Sequence, residues 1–410
     1  MITVIPFKAL RPDAQFAKNV ASQPYDVLSS KEAKVAAQGN PNSFLHVTKS
    51  EIDLPENTDI HSQAVYDKAK ENLQAFVARK VLFRENKPCY YLYRLIMDGR
   101  SQIGIVCGSS VEDYEKGLIK KHEFTRPEKE LDRINHMKTI MAQTGNVFLT
   151  YRNVEPIDLL VEKWTTEKKP QYDFVAEDGI QHSIWIVNDD DTIAAITNSF
   201  HALVPASYIA DGHHRAASAA KVKQALGDNA PNGAYYFLTT LFPANQLHIM
   251  DYNRVVKDLN GLSEEEFLEK LKGKFAVEKS VKAVKPAGLH EFGMYLNKTW
   301  YKLNSLPETF NDNDPIGILD ITVLSENLLE PLLGIKDQRT DSRIDFVGGI
   351  RGLEELEKRV DSGEMKVAFS LYPVSMNQLL DIADAGKVMP PKSTWFEPKL
   401  RDGLLSNIID

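Results

Sequence analysis

Five consecutive residues, Asp211-Gly212-His213-His214-Arg215, bring together a carboxylate, two imidazoles and a guanidinium beside a glycine. Such a set can hold an anion, move a proton or share a metal ion. The flanking residues decide where it sits. Ser207 to Ala210 is a short β-type run, and Ala216-Ala217-Ser218-Ala219-Ala220 opens a strong helix former, so His213, His214 and Arg215 fall in or near a first helical turn. A helix start presents unpaired N–H groups and about half a positive charge, and Gly212 lets backbone approach a ligand closely. Cations at that position oppose the helix dipole, which makes sense if a phosphate offsets their charge. The competing reading is local: Asp211 caps the helix and pairs with Arg215 at an i,i+4 spacing, and the histidines are solvated.

Three other segments carry chemistry. Lys120-Lys121-His122-Glu123-Phe124-Thr125-Arg126 packs cations around Glu123 and leads into Lys129, Asp132, Arg133 and His136. It reads either as a polar wall for phosphates or an acidic substrate, with Glu123 as acid or base, or as a solvated surface segment. The second histidine of a zinc protease helix is missing from His-Glu-Phe-Thr-Arg, which excludes that motif. Gly348-Gly349 closes a strand ahead of a helix and can aim N–H groups at a ligand with Arg351 nearby; the spacing matches neither a P-loop nor a dinucleotide fingerprint, and a plain turn fits as well. Lys392, Ser393 and Thr394 precede Trp395-Phe396, which suits a strap over a nucleotide, with Lys392 on phosphate and an aromatic on the base. The same aromatics would serve equally as a core anchor. His46, His61, His182, His201, His248 and His290 show no ligand spacing.

The elements that position these groups alternate. Ile2 to Leu10 begins as a β-type run ended by Arg11-Pro12. Ser29-Ser30 precede a short helix over 31–38, and apolar residues at three- and four-residue spacings predict a helix over 62–80. Runs over 89–96 and 102–109 flank Asp98-Gly99 as an antiparallel hairpin. Residues 162–191 read as a loop-rich subdomain edge holding a strand over 183–187, its turn at the triple aspartate, and a helix over 192–200. Ser263 and Glu266 form a capping box for a helix to about residue 274. Further on come a helix over 323–333, a strand over 344–347, a helix over 353–360, a strand over 367–372 and a helix over 375–385. The expectation is an α/β fold with a mixed sheet, divided into residues 1–250 and 251–410.

Composition bounds the function. With 410 residues, 43% apolar and 26% charged, the chain is long enough for two or three domains and is neither collagen-like nor disordered. Lys+Arg 49 against Asp+Glu 57 leaves a net charge of −8, and no basic helix-turn-helix or lysine-rich arm is visible, which argues against nucleic acid as a partner. Cys89 and Cys107 are too few and too far apart for a disulfide framework, and no apolar run reaches the roughly 20 residues of a membrane span. The expectation is a soluble, cytoplasmic protein.

Asp211-Gly212-His213-His214-Arg215 after a strand resembles the signature of the ParB/sulfiredoxin superfamily, whose free-serine kinases carry Asp-Gly-His-His-Arg. The blocks Pro6-Phe7-Lys8-Ala9-Leu10-Arg11-Pro12, Pro24-Tyr25-Asp26-Val27, Asn40-Pro41, Lys121 to Thr125, Phe346 to Gly352 and Pro391 to Phe396 resemble those of domain-of-unknown-function family 1015, over nearly the whole chain. Sulfiredoxins read Gly-Gly-Cys-His-Arg here and ParB proteins Gly-Glu-Arg-Arg, so Gly212 and Arg215 match both and His214 matches the sulfiredoxin histidine. The sulfiredoxin cysteine falls on His213, which argues against sulfinic-acid reduction because that chemistry proceeds through the thiolate. What the resemblance implies is a ParB/sulfiredoxin-like nucleotide-binding core, with nucleotide phosphates on Gly212, His214 and Arg215. It also implies phosphoryl transfer from ATP or ADP, with Mg²⁺ on Asp211, to a small hydroxyl metabolite such as serine; a homodimer is compatible with it. Asp211 and His213 are the catalytic candidates. The kinases' glutamate base has two counterparts to weigh, Asp26 and Glu123. A nucleotide-binding regulatory or DNA-associated protein of ParB type is the alternative.

Overall fold

Asp98 and Gly99 both adopt positive φ, 52° and 75°, the two-residue turn whose twist matches that of paired strands. They join Tyr90–Met97 to Arg100–Ser110 in an antiparallel hairpin, as the sequence predicts, with Met97 opposite Arg100. In the computed structural model, which describes residues 1–410, this hairpin lies in a mixed nine-stranded sheet. The order across the sheet is Ile119–Lys120, Ser207–Asp211, Val147–Tyr151, Tyr236–Pro243, Arg100–Ser110, Tyr90–Met97, Gln181–Val187, Tyr172–Val175, and Val4–Ile5 adds to Arg100–Ser110. Two pairings are parallel, Ser207–Asp211 with Ile119–Lys120 and Tyr236–Pro243 with Val147–Tyr151; the others are antiparallel. The fold class is therefore α/β with a large mixed sheet.

The chain forms two units, Met1–Leu247 with Pro398–Asp410, and His248–Glu397. The first has its main core on the sheet, where Leu92, Ile105, Cys107, Leu149, Ile209 and Leu241 are fully buried. A second cluster, including Phe44, Leu73 and Phe76, packs under the helix Gln63–Ala78. The tail returns to this unit: Asn407–Ile408 pairs with Ala142–Gln143. The second unit is an antiparallel six-stranded sheet in the order Phe275–Ser280, Thr299–Ser305, Glu291–Leu296, Val367–Leu371, Tyr252–Val256, Ile344–Gly348. Val255, Trp300, Val347, Leu356 and Ala368 form its core. No helix is long and apolar enough to cross a membrane.

Local signals hold well where capping or periodicity is strong. Ser29 and Ser263 make capping boxes with Glu32 and Glu266 ahead of the helices Ser30–Ala37 and Glu264–Leu271, and Ser375 does the same for Met376–Asp384. Four expectations need correction. Arg11-Pro12 does not end the first β-run: Leu10–Pro12 is itself a strand against Leu82–Arg84, an edge position where proline's missing N–H is tolerated. The polar stretch over 162–191 is no loop-rich edge, because it holds the end of a helix, Glu155–Glu167, and the outermost sheet hairpin, Tyr172–Val175 with Gln181–Val187. The triple aspartate starts the next helix, Asp190–Leu203, with the Asp189 side chain accepting from the Thr192 amide. Lastly, the run over 323–333 is helical only as Asp320–Leu324 followed by one π-turn, Ser325–Leu329.

Candidate functional site

Strand Ser207–Asp211 ends at Gly212, which takes φ 96° and ψ 29°, and helix His213–Leu226 begins at once. A side chain at Gly212 would be strained in this left-handed conformation. Its Cβ would also lie 3.2 Å from the Arg215 guanidinium and 3.4 Å from the Val147 backbone. The alanines that follow bury the helix: Ala216, Ala217, Ala219 and Ala220 all lie in the core. His213, His214 and Arg215 thus occupy the first turn, where backbone amides have no intrahelical acceptor.

The Lys120–Arg126 segment lies beside this turn because strand Ile119–Lys120 pairs in parallel with Ser207 and Tyr208. His122 is buried, and its ring meets that of His213 edge to face at a 4.6 Å centroid distance. Neither nitrogen of His122 finds a well-formed hydrogen bond, nor does Nε2 of His213. His213 Nδ1 is 3.9 Å from Glu123 Oε2, and His214 Nε2 accepts from the Arg126 amide at 3.0 Å. Burial pushes His122 down to about 4; burial, reinforced by the His122 imidazole, also takes His213 well below the ordinary value. Burial and Lys129 lower His214. These imidazoles are neutral at pH 7, so each can accept a hydrogen bond at one ring nitrogen and donate one from the other without carrying charge. The solvated-histidine reading does not hold for His213.

Arg215 is only 7% exposed, and its two terminal nitrogens are tied within its own unit while the buried Nε has no partner. Its guanidinium donates to the Asn146 carbonyl, to Asp26 Oδ2 at 3.4 Å and to Asp211 Oδ2 at 3.3 Å. The i,i+4 pair weighed as a local alternative is present, and Asp26 completes it from nearly two hundred residues away. Lys399, from the returning tail, reaches the same Asp211 oxygen at 3.4 Å. Burial opposes ionisation of Asp211, but Lys399 and Arg215 outweigh it and hold the carboxyl far below the usual carboxylate range. The Asp26 and Asp211 side chains remain 36% and 31% exposed, whereas the guanidinium between them does not. Arg215 therefore aligns two carboxylates whose outer faces meet solvent.

Beside the guanidinium lies a narrow cleft of ≈ 30 Å³, lined by Tyr25, Arg133, Thr144, Gly145 and Arg215 with the apolar side chains of Met137 and Phe237. The Arg133 guanidinium lies 3.9 Å from the centre of the Tyr25 ring and pairs with Asp132. Asp402 is buried nearby, its Oδ2 without a partner, and burial drives its carboxyl up to about 7 despite Arg215.

Thus the structure unites Asp211, Gly212, His213, His214 and Arg215 with Asp26 and Glu123. Lys399 and Asp402 had no local signal; only the tail's return places them. His122 lay within a segment read for its charges, and its burial against His213 has no sequence signature. The remaining candidates, Gly348, Gly349, Arg351, Lys392, Ser393 and Thr394, lie in the second unit. The glycines there have a packing reason: a Cβ on Gly348 would meet the Trp395 indole at 2.9 Å, one on Gly349 would meet Asp251, and the Gly349 amide donates to the Asp251 carbonyl at 2.8 Å. Arg351 is exposed. Ser393 donates to the Pro390 carbonyl at 2.6 Å, and Lys392 lies 5.8 Å from the centre of the Tyr252 ring. Trp395–Phe396 pairs with Ile249–Met250 and Phe396 is buried, so the anchoring role is filled.

No three histidine, cysteine or acidic side chains gather as a metal site, and Asp211 Oδ2 is already shared by two cations. The side chains alone do not make a Mg²⁺ cage.

The family model described as "Protein of unknown function (DUF1015)" matches residues 4–322. Among solved structures, a conserved hypothetical protein from Pyrococcus furiosus is 14% identical, with a TM-score of 0.37 over 74% of this chain and 95% of its own. Free serine kinase in complex with AMP is 13% identical, with a TM-score of 0.36 over 73% and 92%. SbnI with a C-terminal truncation, from Staphylococcus aureus, is 12% identical, with a TM-score of 0.34 over 74% and 87%. No curated protein matches the chain.

Proposed function

The chain belongs to the DUF1015 family, and on that premise we propose that its first unit binds ATP or ADP at the start of helix His213–Leu226 and transfers a phosphoryl group to the hydroxyl of a small metabolite such as serine. The observation that carries this reading is the turn itself. A left-handed glycine feeds a helix start whose first residues are two neutral imidazoles, and the carboxylates of Asp26, Glu123 and Asp211 are gathered around it from three parts of the chain. The motif's resemblance to that of ParB/sulfiredoxin-type nucleotide sites supports it. The first-turn amides and His214 take the nucleotide phosphates. Arg215 acts through Asp26 and Asp211, holding them in place, which revises its expected role as a direct phosphate ligand. Glu123, beside His213, takes the proton of the acceptor hydroxyl as its oxygen forms the new P–O bond, and the bond from phosphorus to the nucleotide's bridging oxygen breaks.

Calorimetry with ATP, ADP and CTP, followed by detection of phosphorylated serine, tests the proposal. Nucleotide binding with turnover that falls at least a hundredfold in Glu123→Gln at unchanged nucleotide affinity is the expected outcome. Absence of nucleotide binding overturns it, and binding without transfer to any hydroxyl compound leaves the regulatory alternative.

A further inference from the structure

Phe124 is the most exposed aromatic side chain of the chain, at 71%. Its neighbours are held. His122, two residues before it, is buried against the His213 ring. Thr125, the next residue, donates its hydroxyl to Glu130, which pairs in turn with Lys221 of the helix His213–Leu226, and Ser218 of that helix donates to the Glu130 carbonyl at 3.2 Å. The Arg126 amide donates to His214 Nε2 at 3.0 Å. With the backbone pinned on both sides, the Phe124 ring stays in water beside the helix start instead of joining the core. The Arg126 contact also sets the phosphate side of the site. A neutral imidazole whose Nε2 accepts a hydrogen bond carries its proton on Nδ1, so His214 presents Nδ1–H as a donor. At most about 7 Å of extended chain separates Phe124 from Arg126, a span comparable with that of the ribose between a base and its α-phosphate. One short loop therefore orients a phosphate donor and carries a bare aromatic face, and a flat ring laid on that face regains the apolar contact that the fold leaves open.

We propose that Phe124 is the stacking platform for the nucleobase, an inference that rests on the nucleotide reading above. A phenyl ring offers no hydrogen bond and every base has a π-face, so the contact favours a nucleotide over a bare polyphosphate without selecting among bases.

The test measures calorimetric affinities of the full chain for ATP, CTP and inorganic tripolyphosphate. Phe124→Ala is expected to weaken both nucleotides about 5- to 100-fold, the range of base–aromatic stacking, and to change tripolyphosphate affinity less than about twofold. Phe124→Trp restores nucleotide affinity, and Phe124→Leu, apolar but without a π-face, does not. The unfolding midpoint stays that of wild type in all three variants, because the side chain is exposed. Should tripolyphosphate bind too weakly to measure, the leucine and tryptophan variants decide. Nucleotide affinity unchanged in Phe124→Ala, equal weakening of tripolyphosphate, or Phe124→Leu binding nucleotide as tightly as wild type overturns the proposal and leaves the nucleotide reading standing. A wild-type chain that binds neither nucleotide overturns both.

Discussion

Replacing Arg215 with methionine separates a guanidinium that holds the site together from one that grips a ligand. The side chain is 7% exposed and ties the Asn146 carbonyl to carboxylates 3.3 and 3.4 Å away. Breaking a buried ion pair from one side costs about 3–5 kcal/mol, because the remaining charge is left uncompensated. Two features place Arg215→Met at the lower end. Asp26 and Asp211 are each about a third exposed, so water recovers part of the loss, and Lys399 still reaches Asp211. The expected loss is about 3 kcal/mol, or about 6–12 °C in Tm for a unit of this size. Urea unfolding followed by circular dichroism measures it, with an unchanged slope showing that the unfolded state is not the cause. Arg215→Lys falls only partly short of the wild type, since one ammonium cannot span two carboxylates and a carbonyl in the same fork. A variant within about 0.5 kcal/mol of wild type, the level of an ordinary surface substitution, that had nonetheless lost nucleotide affinity would refute the tie and return Arg215 to the ligand.

Asp402→Asn tests the buried carboxyl. In the folded chain it titrates at about 7 and in the unfolded chain near 4, so the native state binds a proton that the unfolded state has released, and stability falls as pH rises through that interval. The asparagine variant should match wild type in acid, gain on it progressively up to pH about 7 and keep its lead above, as read by chemical denaturation across pH. His122 works in the opposite sense: burial sets it at about 4, so the unfolded state protonates first and stability drops as pH falls from about 6.5 toward 4; His122→Gln should flatten that acid limb. Gly212→Ala must hold φ near 96° with its methyl against Arg215 and Val147, and should cost about 1–3 kcal/mol in urea unfolding.

Much of the fold was legible because its signals are local. Asp98-Gly99, the capping boxes at Ser29 and Ser263, and the apolar stripe of the helix Gln63–Ala78 each act within a few residues. The strand–glycine–helix turn at Gly212 was legible for the same reason. What could not be read was pairing at a distance. In the sequence Arg215 has only Asp211 within local reach, and only the fold delivers Asp26 to it. His122 looks like part of a charged surface run until the parallel pairing of Ile119–Lys120 with Ser207 and Tyr208 buries it against His213. The polar stretch over 162–191 misled because sheet-edge strands need only one apolar face, and Tyr172–Val175 alternates buried and accessible residues within a polar context.

Residues 398–410 supply Lys399 and Asp402 to a unit whose remainder was synthesised before residue 248. A nascent chain paused anywhere within the second unit therefore displays the whole Asp-Gly-His-His-Arg turn with Asp211 lacking one of its two cations and the strand Ala142–Gln143 lacking its partner. In the order of the chain the second unit is an insertion into the first, entering after Leu247 and leaving before Pro398.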